Sequence, residues 1–309
     1  MNREVTVRAP GKVNMQLAVG SVQEDGYHPL ATVFQAVDLY EVVTARARAD
    51  DRITIAVAAH PSAEIDVSGV PLDETNLAWR AAVAVAEEFG ITDGVDLSIL
   101  KSVPVAGGMA GGSADAAAAL VACAEAWDTG ASRSQLLSLA SSLGADVPFA
   151  LHGHTAVGLG RGDRLSPAMT HGTFHWVFAT QADGLSTKAV YNQFDQWVAD
   201  GDIVPSEPRI SGSVMSALIS GDAESLGAAL TNDLQLAAEF LNRQLDELVQ
   251  AAYDMDACGA IVSGSGPTVA VLARSNQHAL SLAAHLQAAG LAHYVVTAQG
   301  PAAGATVLA

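Results

Sequence analysis

Residues 104–114 read Pro-Val-Ala-Gly-Gly-Met-Ala-Gly-Gly-Ser-Ala, with four glycines in six positions, and an Ala-rich run from Asp115 to Trp127 follows at once. This constrains the fold more than any other stretch, because glycine-dense chain just ahead of a helix brings backbone close to a neighbour. Glycine permits that approach and tolerates positive φ. A helix start adds unpaired N–H groups and the positive end of the macrodipole, so its natural occupant is an anion such as a phosphate. The competing interpretation is a flexible loop ahead of a surface helix.

Three common phosphate-binding frameworks fail. A Walker A loop needs a lysine after its last glycine, and Ser113 follows Gly112. The Rossmann pattern fails because Met109 stands at its third position, and no acidic residue follows a strand about 20 residues on. Protein-kinase signatures, His-Arg-Asp and Asp-Phe-Gly, are missing from the sequence.

Two further segments carry candidate chemistry. Alternation from Lys12 puts Lys12, Asn14 and Gln16 on one strand face and Val13, Met15 and Leu17 on the other. Only Lys12, Lys101 and Lys188 are lysines among the 15 basic residues, so a lysine beside this asparagine suits a compact point charge. A solvated edge-strand lysine is the alternative. Asp146, in Leu-Gly-Ala-Asp-Val-Pro-Phe-Ala, is a lone carboxylate among apolar residues. Such a group needs a partner, and Lys12 could be one. The pair beside a phosphate loop would suit proton removal from an alcohol, whereas a helix cap or a structural ion pair would need no chemistry.

Taken in order, Pro10 to Asn14, Pro104 to Ser113 and Ser263 to Thr268 resemble the three motifs of the GHMP kinase superfamily of small-molecule kinases, and the likeness spans the chain. Residues 25–39, with Asp-Gly-Tyr-His and then Phe-Gln-Ala, resemble the branch whose acceptor is a cytidine diphosphate-linked methylerythritol, as does Gly144 to Phe149. The resemblance implies an ATP-dependent kinase of the non-mevalonate isoprenoid route, using Mg²⁺. It implies a two-domain α+β fold with the active site in the interdomain cleft. It assigns Lys12 and Asp146 as the catalytic pair. It assigns Pro104, Val105, Ala106, Gly107, Gly108, Met109, Ala110, Gly111, Gly112, Ser113 and Ala114, with Asn76, to the nucleotide. Asn14, Tyr27 and His28 fall to the acceptor. Gly11, Met109-Ala110 and Pro29 depart from the family pattern. Ala110 matters most, because alanine would carry a steric cost if this backbone needs positive φ. Other kinases of the fold, acting on mevalonate, homoserine or a sugar, and a non-catalytic nucleotide-binding protein on the same scaffold, are the alternatives.

Other candidates follow from the residues. Tyr27-His28 after the Asp25-Gly26 turn could stack on a pyrimidine and bond its edge, or form an ordinary surface turn. Ser263 to Pro267 suggests either backbone approach to a ligand or a hairpin. Lys101 closes an alternating run and could reach the nucleotide or solvent; Lys188 and Tyr191 are further acceptor candidates. The nine histidines form no metal pattern, and Cys123 and Cys258 make no disulfide framework.

Half the chain is apolar and the net charge is −18, which argues against a nucleic-acid partner. The few cations must therefore gather where a triphosphate binds. No apolar run reaches the length of about 18 residues that suggests a membrane span. With no leader-like stretch at the start, a cytoplasmic monomer or homodimer is expected.

The pattern predicts two domains, 1–162 and 163–309. Strands are expected at 6–9, 12–19, 32–46 with a break, 53–57 and near 176, 260, 268 and 294. Helices are expected at 77–89 ending at Gly90, at 134–143 ending at Gly144, from Ser186, from Leu241 and over 277–289. The tail from Gly300 to Ala309 is expected to fray.

Overall fold

The computed structural model describes residues 3–105, 107–182 and 184–308. Two sheets form the frame. The first half supplies β1 (Glu4–Val19), β2 (Leu30–Ala47), β3 (Ile53–Ala59), α1 (Leu77–Phe89), β4 (Val95–Lys101), α2 (Gly111–Ala126), α3 (Arg133–Leu143), α4 (Val147–His152), β5 (Thr155–Gly160) and β6 (Arg164–Pro167). The second half supplies β7 (Phe174–Thr180), α5 (Thr187–Asp200), α6 (Gly212–Ser220), α7 (Ala223–Ala229), β8 (Thr231–Asn232), α8 (Gln235–Leu241), α9 (Gln244–Asp254), β9 (Gly259–Val262), β10 (Val269–Ala273), α10 (Asn276–Ala288), β11 (Tyr294–Gly300) and β12 (Thr306–Val307).

The first sheet runs β12-β1-β2-β4-β3, with β5 and β6 continuing from β2 and β8 lying parallel to β1. Its outer face buries α1, α2 and the third and fourth helices in an Ala-rich core. The poly-alanine stretch of α2 suits this place, since short side chains let the helix approach the sheet closely. The second sheet, β11-β7-β10-β9, is antiparallel throughout. Val13, Met15, Phe174, Trp176 and Phe178 pack between the two sheets. There Trp176 Nε1 donates to Gln35 Oε1 at 2.9 Å in the interior. This is the expected two-domain α+β arrangement.

Local signals explain several elements. Asn76 caps α1 and Gly90 ends it at φ 64°. Ser132 and Gln135 form a capping box on α3.

Four expectations differ from the structure. Both long strands are continuous: β1 runs unbroken through Pro10-Gly11 and β2 through its expected break, and a register shift between them there absorbs the irregularity. The expected divide at 162/163 falls within the β5–β6 hairpin, and β6 stays in the first sheet. The helix expected from Leu241 begins at Gln244, and a separate helix, α8, ends at Leu241. The tail is pinned rather than frayed: β12 pairs with β1, Ala305 N–H donates to Ala150 O at 3.0 Å, and Leu308 N–H to Thr6 O at 2.8 Å.

Candidate active site

A cleft of about 570 Å³ opens between the two halves. One wall is the glycine loop and the first turn of α2. Pro104, Val105, Gly107, Gly108, Ala110, Gly111, Gly112 and Ser113 line it. Met109 and Ala114 are fully buried and face the core. Ala106 lies outside the described residues. Helix α2 opens without a side-chain cap, so its first N–H groups are left for an incoming anion. The loop is held from behind: Lys12 N–H donates to Met109 O at 3.1 Å, and Ser263 Oγ donates to Gly108 O at 3.3 Å.

Ala110 adopts φ 60°, ψ 34°, in the left-handed region. Alanine there costs about 1–2 kcal/mol against a right-handed conformation. Glycine would relieve this, less about 0.5–1 kcal/mol of its own chain entropy. Ala110→Gly is therefore expected to raise stability by up to about 1 kcal/mol in denaturant unfolding. A less stable variant would contradict this account.

The same cleft holds the candidate catalytic pair. Lys12 is buried, and its ammonium donates to Asn14 Oδ1 at 2.5 Å. Asn14 Nδ2 in turn donates to Thr32 Oγ1 at 2.9 Å, whose hydroxyl donates to Gln16 O at 2.6 Å. That relay fixes the amide with its oxygen toward Lys12. Burial lowers the Lys12 pKa, and the negative charge of Asp146 works against the lowering. Asp146 sits at the start of α4, half-buried, with its carboxylate making no capping bond, and it lines the same cleft. The two charges face one cleft, and Lys12 makes its direct bond to Asn14 rather than to Asp146.

Gln16 does not join them. A bulge at Met15 shifts the register after Asn14. Gln16 Nε2 instead donates to Arg209 O at 2.7 Å, and its Oε1 accepts from Ser211 N–H at 2.9 Å.

Lys101 lines the cleft, but its ammonium lies 2.6 Å from Glu41 Oε1 and 2.5 Å from Asp115 Oδ2. Glu41 is fully buried, and its other oxygen accepts from Ser102 N–H at 2.8 Å. Burial opposes the Lys101 charge, yet its two carboxylates outweigh that and raise its pKa. Sequence reasoning missed Glu41, although an acid amid the apolar run of β2 was a readable sign. Burial and Asp115 push the Glu41 carboxyl from 4.5 up to about 8, against the pull of Lys101. Folding therefore takes up a proton between those values. The stabilisation is complete below 4.5 and is lost as the pH rises through about 8. Glu41→Gln, which cannot titrate, is expected to show a flatter fall of stability with pH across that range in urea titrations. A slope equal to that of the wild type would contradict this.

Asn76 is tied into structure while lining the cleft: Oδ1 accepts from Ala78 N–H at 2.8 Å and Nδ2 donates to Pro71 O at 2.8 Å. Tyr27 and His28 stand one layer behind the lining. Tyr27 is exposed, and Arg161, which lines the cleft, lies 3.6 Å over its ring. His28 Nδ1–H donates to Gly20 O at 2.8 Å, its Nε2 lies 3.4 Å from Asp195 Oδ1, and its ring packs on Tyr191. Tyr191 does line the cleft, and burial, with Asp146 and Asp195 nearby, pushes its phenol up to about 12. Lys188 is exposed. The Ser263–Pro267 segment forms the hairpin that its sequence allowed, and it also borders the cleft. It joins paired strands β9 and β10, and its Gly264, Ser265 and Gly266 line the cleft.

Among the described residues no group of three or more His, Cys, Asp or Glu could hold a metal ion, and no helix is long and apolar enough to cross a membrane. Cys123 and Cys258 are free thiols.

Comparison with known proteins adds to this geometry. Models of the GHMP kinases N-terminal domain and of the GHMP kinases C-terminal domain match residues 76–154 and 214–291. The chain is 52% identical over 305 residues to a 4-diphosphocytidyl-2-C-methyl-D-erythritol kinase of Thermobifida fusca, covering 98% of each protein. It is also 52% identical to the protein of that name from Streptomyces coelicolor, covering 98% of this chain and 99% of that one. A crystal structure of 4-(cytidine 5'-diphospho)-2C-methyl-D-erythritol kinase superposes with a TM-score of 0.77 at 28% identity, over 95% of this chain and 98% of that one.

Proposed function

The chain belongs to the GHMP kinases, among the 4-diphosphocytidyl-2-C-methyl-D-erythritol kinases, and from that membership we propose that it transfers the γ-phosphoryl group of ATP to the 2-hydroxyl of 4-diphosphocytidyl-2-C-methyl-D-erythritol. The observation that carries the reading is that Lys12 and Asp146 line the same cleft as an uncapped helix start.

The donor phosphates lie against the loop and the N-terminus of α2, whose N–H groups stabilise the charge on the transferring group. The Asp146 carboxylate accepts the proton of the 2-hydroxyl as its oxygen bonds to the γ-phosphorus and the bond to ADP breaks. Lys12, oriented by Asn14, holds the hydroxyl beside that carboxylate. Tyr191 and the Tyr27–His28 turn flank the acceptor side, where the cytidine end belongs.

Mg²⁺ fits this site as an ion carried by the nucleotide rather than by a protein cage. Asp115 Oδ1 is buried without a hydrogen-bond partner, and with the Ser113 hydroxyl it would hold that ion. When bound, it neutralises triphosphate charge. Cytoplasmic residence fits the two free thiols.

The test is choice of acceptor. ADP release is measured with MgATP and each of three alcohols: 4-diphosphocytidyl-2-C-methyl-D-erythritol, mevalonate and homoserine. Turnover with the first alone is expected. Turnover with mevalonate or homoserine instead would keep the chemistry and overturn the substrate. Silence with all three would favour a non-catalytic nucleotide binder.

A further inference from the structure

The described lining of the cleft carries three cations, Lys12, Lys101 and Arg161. Two are committed. Lys101 is enclosed by Glu41 and Asp115. Lys12 is bound to Asn14 and stands opposite Asp146 at the reacting hydroxyl. The donor phosphates have the N-terminus of α2. A diphosphate-bearing acceptor brings further negative charge into a chain of net charge −18, and of the cations in the described lining Arg161 is the one left to meet it.

Arg161 sits at the tip of the β5–β6 hairpin, between Gly160 at φ 73° and Gly162 at φ 90°. Its guanidinium covers one face of Tyr27 at 3.6 Å and bonds Asp25 Oδ2 at 3.1 Å. Both side chains of that ion pair are half exposed, at 52% and 51%. Exposed ion pairs and exposed cation–π contacts are weak and easily exchanged. A phosphate offers the guanidinium fork a charge-assisted, two-pronged bond instead.

We propose that Arg161 binds the diphosphate of the acceptor, leaving Asp25 to do so, and that its departure uncovers the Tyr27 ring face for the pyrimidine. Arg161 thereby makes the site selective for a nucleotide-linked alcohol over a free one. This rests on the proposed acceptor.

The test compares cytidine with cytidine 5′-diphosphate by calorimetry, with the donor site filled by a saturating non-hydrolysable ATP analogue. The wild type is expected to prefer the diphosphate by about tenfold or more, as a charge-assisted contact of this kind gives. Arg161→Met keeps the aliphatic stem and is expected to bring the two ligands within about threefold of each other, mainly by weakening the diphosphate. Arg161→Lys, with charge but no fork, is expected to fall between. Unchanged affinity for the ATP analogue in each variant reports an intact fold. In turnover, Arg161→Met is expected to raise KM for the acceptor while kcat and KM for ATP hold. A diphosphate preference retained in full by Arg161→Met would overturn the role of Arg161 and leave the acceptor assignment standing. A wild type that binds neither cytidine nor its diphosphate would overturn the acceptor assignment, and this inference with it.

Discussion

Asp146→Asn is expected to lower kcat by about 10²–10⁴ while ATP affinity holds, since that is what loss of a well-placed general base typically costs. The substitution is nearly isosteric, and Asp146 makes no capping bond to α4 whose loss would unfold the helix. Its carboxylate faces the cleft with Lys12, so its removal subtracts the proton acceptor together with the negative charge that works against the lowering of the Lys12 pKa. Pre-steady-state phosphoryl transfer and ATP-analogue binding separate the two effects. Turnover within about threefold of wild type would remove Asp146 from the mechanism, because removal of a general base costs far more than that.

The second large effect belongs to the loop. Gly108 has φ 72°, a conformation that side chains adopt poorly, and a Cβ there would collide with Ser263 O and come within 3.1 Å of Gly266 O. The obstacles are backbone atoms of the loop after β9, which cannot step aside as a side chain would. Gly108→Ala must therefore push the phosphate loop away from that loop or distort both. The cost is expected at about 2–5 kcal/mol of stability, combining the left-handed penalty with overpacking. The N–H groups that should cradle the donor move with the loop, so KM for ATP is expected to rise about tenfold or more, the equivalent of about 1.4 kcal/mol of lost binding. Denaturant midpoints and ATP saturation curves measure the two. Wild-type values for both would mean that the loop does not depend on this approach.

The site was legible where its chemistry is local. The glycine run, the uncapped helix start and the Lys12–Asn14 alternation are adjacent in sequence, and each survives in the structure. The pairing of distant segments was less so. Nothing near Lys101 says that Glu41 will meet it, because that contact depends on β2 pairing with β4. The resemblance assigned Tyr27 and His28 to the acceptor, and the fold adds the intermediaries Arg161 and Tyr191. Gln16 left its alternation group because a bulge is a property of two paired strands, which one strand's sequence does not display.

The fold shows the same division. Helices with caps and glycine stops, α1 and α3, could be placed from their ends. Helix α4 has six residues, Val147–His152, too few for a periodic pattern to emerge. The tail looked like solvent-facing chain because alanine and glycine carry no strand signal. Its order comes from backbone pairing with β1 and with Ala150, far away in sequence.

The central claim is that this cleft moves a phosphoryl group from ATP to the erythritol 2-hydroxyl and leaves the acceptor's diphosphate untouched. Incubation with MgATP and 4-diphosphocytidyl-2-C-methyl-D-erythritol, followed by ³¹P NMR, reads that directly. The account predicts a new phosphomonoester resonance growing in step with ADP while the acceptor's diphosphate signals persist. ADP formation with no new phosphomonoester, or with loss of the acceptor's diphosphate, would contradict it.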